Sequence, residues 1–284
     1  MQNIALSWQQ GAGLAAGLFA AGLALSASGR PRLATLGPFA REAGFIAGLY
    51  ALWQLAASAT VMGTGGAFGR GRGIEQFERD VHLPLERDVQ HLVTPHPWLA
   101  QACNLYYASM HFVALGALLL WLFIRHRDRY PAVRTTIVLL TAACLLIQLV
   151  PVAPPRLLPE LGYVDTAEKY GQSVYTAFQA VGPDQLSAMP SVHVGWAVLI
   201  GVVVVRVSPS PWRWLVLIHP ALTIFVVAAT ANHFWLDGIV AVALLALATA
   251  GQWAARRAYA AWQQRHRVES VGPLPEPEAV AVTD

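Results

Sequence analysis

Seven apolar stretches run along the chain, at residues 10–28, 42–62, 99–124, 135–152, 190–206, 213–230 and 234–255. A helix needs roughly 20 mainly apolar residues to cross a bilayer. In lipid every backbone polar group must be paired internally, so such stretches are helices. The pattern predicts an all-α polytopic membrane bundle, with about six core transmembrane helices plus one extra N-terminal helix. The first stretch is the one richest in Ala and Gly. Prolines at 151, 154 and 155 stop the fourth and stiffen its exit.

Between the second and third stretches the pattern changes. A Gly-rich run (Gly63, Gly65, Gly66, Gly69, Gly71, Gly73) reads as a flexible loop. Then Ile74, Phe77, Val81, Leu85, Val89 and Leu92 recur at helical spacing, with Glu75, Glu78, Asp80, Glu86 and Asp88 between them. This predicts an amphipathic helix lying on the membrane surface, with a break at Pro84. Two readings stand for it, a solvated polar face over an apolar stripe or a lid over a site. The chain divides into N-terminal transmembrane segments (1–62), an exoplasmic loop with the surface helix (63–98), a catalytic transmembrane core (99–257) and a largely disordered cytoplasmic tail (258–284). Prolines and acids dominate residues 268–284.

Composition agrees with this reading. The 284 residues are 56% hydrophobic and 12% charged, where a soluble domain carries about 25% charged residues. A disordered chain, a secreted disulfide scaffold and an ordinary cytosolic enzyme are excluded. Net charge is only +3, and the Arg residues flank apolar runs, so nothing points to nucleic acid. Lys169 is the only lysine; that, with the Ala richness, fits a GC-rich bacterial genome. Cys103 and Cys144 lie in apolar segments and define neither a disulfide framework nor a metal site. No cleavable signal peptide is evident in residues 1–10. Arg30, Arg32, Arg41, Arg125, Arg127, Arg129, Arg134, Arg206, Arg213, Arg256, Arg257, Arg265 and Arg267 fall on one side of a seven-crossing bundle, which is then cytoplasmic. Loops 63–98, 153–189 and 231–233 share the opposite face of a cell-membrane protein.

Three polar clusters lie on that face. Ser187-Ala188-Met189-Pro190-Ser191-Val192-His193 reads as a helix start, with Pro190 at the first helical position. Its free N–H groups and positive dipole end suit a phosphate, although a plain helix start with an interfacial His explains it equally. In the second cluster, His233 and Asp237 are four apart and share a helix face. An Asp there can fix the tautomer of the His and present Nε2 as nucleophile or base. The third is Arg156 after the prolines, whose guanidinium fork suits a phosphate; the plain alternative is an interfacial Arg. Asn104, Tyr106, Tyr107 and His111 in the third stretch are candidate substrate-binding residues, because polar groups inside a span invite a functional reading. They serve equally as interhelical hydrogen-bonding groups.

Taken together, Ala153-Pro154-Pro155-Arg156, Ala188-Met189-Pro190-Ser191-Val192-His193 and Asn232-His233 with Asp237 resemble the three motifs of the type-2 phosphatidic acid phosphatase superfamily, which shares its core with vanadium haloperoxidases. The Ala-Pro-Pro-Arg form and the Asn-His before an aromatic look like the branch containing inositol phosphorylceramide synthases. The resemblance covers roughly residues 75–255. It departs at Leu149, where the family usually has Lys, and at Val227, where it usually has Arg. It implies that His233 attacks phosphorus to form a phosphohistidine, with Asp237 orienting it. His193 then protonates the leaving oxygen, and Arg156 and Ser191 bind the phosphate oxygens. No metal or other cofactor is implied. The expected partners are the bilayer and a lipid phosphate, diphosphate or phospholipid substrate. A phosphatase or phosphotransferase leads. A headgroup transferase of the inositol-phosphoryl type comes second, and a non-catalytic lipid-binding protein third.

Overall fold

A computed structural model describes residues 7–58, 65–172 and 183–270. The chain is an all-α membrane bundle. Its principal helices are α1 (Trp8–Ser26), α2 (Gly37–Ser58), α3 (Ala67–Asp80), α4 (Glu86–Val93), α5 (Pro97–Arg125), α6 (Tyr130–Gln148), α7 (Val192–Val207), α8 (Ile218–Ala229, entered through a 3-10 turn at Pro211–Leu217) and α9 (Trp235–Ser270). Four helical stretches are long and apolar enough to cross a bilayer: Pro97–Arg125, Tyr130–Gln148, Pro211–Ala229 and Trp235–His266. Val192–Val207 is a shorter apolar helix.

Helices α1 and α2 form a hairpin. A Cβ on Gly22 would meet Arg41 N at 2.9 Å, and one on Gly44 would meet Ala15 O at 3.0 Å. Glycine at these points lets the two backbones approach, the usual device where lipid gives no hydrophobic push. Glu42 ties this hairpin to the core, accepting from Tyr130 Oη at 2.9 Å and pairing with Arg134. The main core lies between α5, α6, α7 and α9, with Leu118, Leu122, Ile137, Leu140, Cys144, Leu199 and Leu245 buried together.

Alternating helix directions bring residues 149–172, 183–191 and 230–234 to one end of this core. There a second apolar cluster supports the polar segments: Ala67, Ala153, Leu158, Tyr163, Leu186, Ala231 and Phe234. Backbone bonds lace them together, Val152 N to Leu186 O at 2.6 Å and Ala188 N to Val152 O at 3.2 Å.

Three local expectations change. The Gly-rich run is helical from Ala67, because Gly71 lies where a Cβ would sit 2.6 Å from Ala153 O; close packing there overrides glycine's poor helix propensity. Gly63 lies outside the described residues. The surface helix is two helices, the expected break at Pro84 falling within 81–85, and part of its polar side turns inward although Asp80 and Asp88 stay exposed. Glu75, Glu78, Glu86 and Gln90 are at most 1% exposed, while Phe77 is 49% and Leu92 68% exposed. In a chain that sits in lipid, an apolar stripe does not have to face the protein core. Finally, α9 continues past 255 to Ser270, through the strong helix formers of Ala254–Gln264. The tail beyond 270 lies outside the described residues.

Candidate active site

The turn between α8 and α9 carries the second cluster. Helix α8 ends at Ala229, and Ala231 takes a left-handed conformation with φ 51°. That costs an L-residue about 1–2 kcal/mol. Ala231 is fully buried, and its carbonyl accepts the backbone N–H of Arg156 at 2.8 Å. Asn232 and His233 follow, both buried.

His233 has a defined hydrogen-bonding partner on each ring nitrogen. Its Nδ1 lies 2.7 Å from the Ala188 carbonyl and 3.4 Å from Asp237 Oδ2. A carbonyl oxygen only accepts, so Nδ1 carries the hydrogen and the neutral ring has its lone pair on Nε2. That Nε2 faces His193 Nδ1 at 3.3 Å. Asp237, fully buried, is therefore not the nearest partner of His233. Its Oδ2 also accepts the Phe234 N–H at 2.8 Å, which caps α9 from within. The carbonyl of the Ala188 segment and the Asp237 carboxylate hold the ring jointly.

His193 sits in the first turn of α7. The helix begins at Val192, with Ser191 rather than Pro190 at its edge. Ser191 Oγ accepts from Val194 N at 3.3 Å, and Ser191 N donates to Asp237 O at 3.0 Å. Serine is the better cap, so the proline falls outside the helix. Ser191 is thus a buried joint between the two histidine-bearing segments. The His193 ring stacks on Tyr107 at 4.4 Å between centroids and meets His111 edge-on at 4.3 Å. His111 Nδ1 donates to the Tyr107 carbonyl at 3.0 Å. Tyr106, Tyr107, His111, His193, Thr223, Val226 and Val227 line a narrow pocket here.

The third-stretch candidates therefore separate. Tyr107 and His111 join the histidine pair. Tyr106 bonds His219 Nδ1 at 2.8 Å and Thr223 Oγ1 at 3.2 Å across α5 and α8. Asn104 bonds Thr166 at 3.0 Å and Gln172 at 3.1 Å, which anchors the loop after α6. Asn104 lines no part of that pocket. Arg156 is buried; its Nε donates to Asn232 Oδ1 at 3.0 Å, and its NH1 pairs with Asp165. The guanidinium is thus clamped beside the residue that precedes His233.

Sequence reasoning assigned several residues here no role of their own in the site. Asn232 orients Arg156, Asp165 pairs with it, and Glu78 and Glu86 bind the start of α9. Glu78 Oε1 accepts from Leu236 N at 2.7 Å and Glu86 Oε1 from Trp235 N at 2.6 Å. The readable signal is the polar side of the 74–92 pattern, for which a solvated face and a lid over a site both stand. Burial drives the Glu86 carboxyl up to about 9, with the neighbouring Glu78 adding to it; Glu78 is raised too, again chiefly by burial. Where the family usually has cations, Leu149 closes α6 and Val227 is a buried pocket residue. Arg70 of α3 reaches the same stretch of backbone, donating from Nε to the Pro151 carbonyl at 2.6 Å. Among the described residues, no group of three or more His, Cys, Asp or Glu side chains is arranged to hold a metal ion.

A family model described as the PAP2 superfamily matches residues 72–251, more than half of the chain and all three polar clusters. No curated protein and no solved structure matches the chain.

Proposed function

We propose, since the chain belongs to the PAP2 superfamily, that it is a lipid phosphate or diphosphate phosphatase or phosphotransferase working through a phosphohistidine at His233. Family membership supports phosphatase-type action on lipid phosphates in general. The observation that carries the finer reading is the His233 ring, whose Nδ1 hydrogen is committed to the Ala188 carbonyl and whose Nε2 lone pair faces His193.

The chemistry follows from that arrangement. The phosphoryl group enters between the two rings and replaces their 3.3 Å contact. Nε2 of His233 forms a bond to phosphorus as the bond to the leaving oxygen breaks. His193, in its imidazolium form, gives that oxygen a proton and is left neutral; afterwards it takes a proton from the acceptor hydroxyl, which attacks the phosphohistidine. Such acid–base help contributes typically about 10²–10⁴-fold. Asp237 and the Ala188 carbonyl stabilise the imidazole as it becomes cationic. Arg156, held by Asn232 and Asp165, and the start of α7 at Ser191 supply positive potential to the non-bridging oxygens without a metal.

The Arg residues of the turns at 125–134 and 206–213 belong to the opposite end of the bundle from the histidines. By the bias of Arg toward cytoplasmic loops, this supports an exoplasmic site in the cell membrane and a cytoplasmic C-terminus. The lipid tail then lies between helices while its phosphate meets Arg156.

The second reading is transfer of a phosphoryl-headgroup onto an alcohol, of which inositol-phosphoryl transfer is one form. The pocket beside His193 has no Arg, Lys, Asp or Glu in its lining. That suits an uncharged acceptor, water or an alcohol. The deciding experiment supplies the purified protein with lipid phosphates, diphosphates or a phosphoinositide plus alcohol acceptors, with EDTA present, and follows free phosphate and new phospholipid by mass spectrometry. Free phosphate lost in His233→Ala supports the phosphatase. A headgroup moved to the alcohol supports the transferase. Turnover that survives His233→Ala contradicts a phosphohistidine at His233, whereas a folded protein that turns over none of these lipids favours the non-catalytic lipid-binding reading.

A further inference from the structure

We propose that Glu78 and Glu86 are positioning residues for His233, gripping the first backbone N–H groups of α9 so that the His233 turn stays in register with His193. The two carboxylates come from α3 and α4, 158 and 149 residues away from the N–H groups they bind. The α-helix start has N–H groups with no intrahelical partner and a positive dipole end. Here Phe234, Trp235 and Leu236 donate in turn to Asp237, Glu86 and Glu78, at 2.8, 2.6 and 2.7 Å. The Trp235 indole also donates to the Pro84 carbonyl at 2.5 Å, pinning the break between α3 and α4. These contacts make α3 and α4 a strap that holds the first N–H groups of α9 through two buried carboxylates, and whose apolar residues Phe77 and Leu92 face outward.

The grip has a built-in dependence on protonation. Glu86 is buried against Glu78, and its Oε2 accepts from Tyr163 Oη at 3.2 Å. Glu75, from α3, faces the same space and is bonded to Arg79 at 3.0 Å. Asp237 faces it from α9, with His233 beyond. With Glu86 pushed up to about 9 by burial and by Glu78, its carboxyl keeps its proton at neutral pH. The sign follows from linkage: a carboxyl whose folded-state value is raised contributes its full stability below its free value, near 4.5, and has lost it once pH passes through about 9. Alkaline pH therefore adds a charge to a closed space and loosens the strap.

The test uses the full chain in detergent and two readouts. Hydrogen exchange over residues 233–237, corrected for intrinsic rates, needs no substrate. The kinetic readout rests on the phosphohistidine reading; the exchange readout does not. In the wild type, protection is expected to fall at least tenfold between pH 8 and 10, with kcat falling in parallel. Glu86→Gln keeps an acceptor for Trp235 N and cannot ionise, so protection and kcat are expected to stay level across that range. Glu78→Ala with Glu86→Ala is expected to speed exchange at pH 7 at least tenfold and to lower kcat at least tenfold, with KM changed less than threefold. Should the double variant fail to fold, the Glu86→Gln pH profile carries the decision. An alkaline loss of protection equal in Glu86→Gln and wild type overturns the proposal, as does a folded double variant with unchanged protection. Turnover surviving His233→Ala overturns the reaction instead and leaves the exchange result standing.

Discussion

Replacing Asn232 with Ala should weaken catalysis more than it weakens the fold. Asn232 Oδ1 is the acceptor for Arg156 Nε at 3.0 Å, and its amide nitrogen is tied to Thr230 Oγ1 at 2.9 Å. Both residues are about 5% exposed, so water does not readily take the place of the lost acceptor. A hydrogen bond to a charged group contributes about 1.5–3 kcal/mol. At 1.36 kcal/mol per factor of ten, that is a fall in kcat/KM of about ten- to a hundredfold. Asp165 still holds NH1, so the guanidinium is misdirected rather than lost, and the melting temperature should drop by only a few degrees. The assay is lipid-phosphate turnover normalised to folded protein. Arg156→Lys removes Nε altogether, so in that background Asn232→Ala should cost less than threefold, the non-additivity expected of residues in contact. If Asn232→Ala turns over within twofold of wild type, or its cost is undiminished beside Lys at 156, then Arg156 is not oriented through Asn232.

Other outcomes follow from the same geometry. Tyr107→Phe keeps the ring stacked on His193 and should retain activity within about twofold. Tyr107→Ala loses a contact of about 0.5–1.5 kcal/mol and should lose about two- to tenfold, read as kcat at saturating lipid. Tyr106→Phe breaks the bond to His219 and Thr223; it should lower stability in detergent by about 1 kcal/mol and leave kcat within twofold. A tenfold loss of kcat in that variant would move Tyr106 into the reaction.

Four of the seven expected spans are long apolar helices among the described residues, legible because lipid demands continuous apolar helices, and the motifs were legible because Arg156, His193, His233 and Asp237 sit at or beside helix ends. What stayed hidden was set by partners distant in the chain. Nothing local shows that the Ala188 carbonyl lies nearer His233 Nδ1 than Asp237 does, or that Asn104 and Tyr106 spend their hydrogen bonds on neighbouring segments. The inward turn of Glu78 and Glu86 on α3 and α4 departs from a solvated polar face for a physical reason. In water the apolar stripe would turn inward. Here the unpaired N–H groups of α9 draw Glu78 and Glu86 inward instead, and the membrane environment tolerates Phe77 and Leu92 outside.

The account turns on a bond between phosphorus and His233 Nε2. The most direct measurement mixes the protein with a ³²P-labelled lipid phosphate for milliseconds, quenches in alkali to preserve phosphohistidine, and maps the label by mass spectrometry. The account predicts an alkali-stable, acid-labile label on the peptide that carries His233. The label should be absent in His233→Ala and accumulate in His193→Ala supplied with a substrate whose leaving group needs no proton. Label on His193, or rapid turnover with no labelled protein at any time, would contradict it.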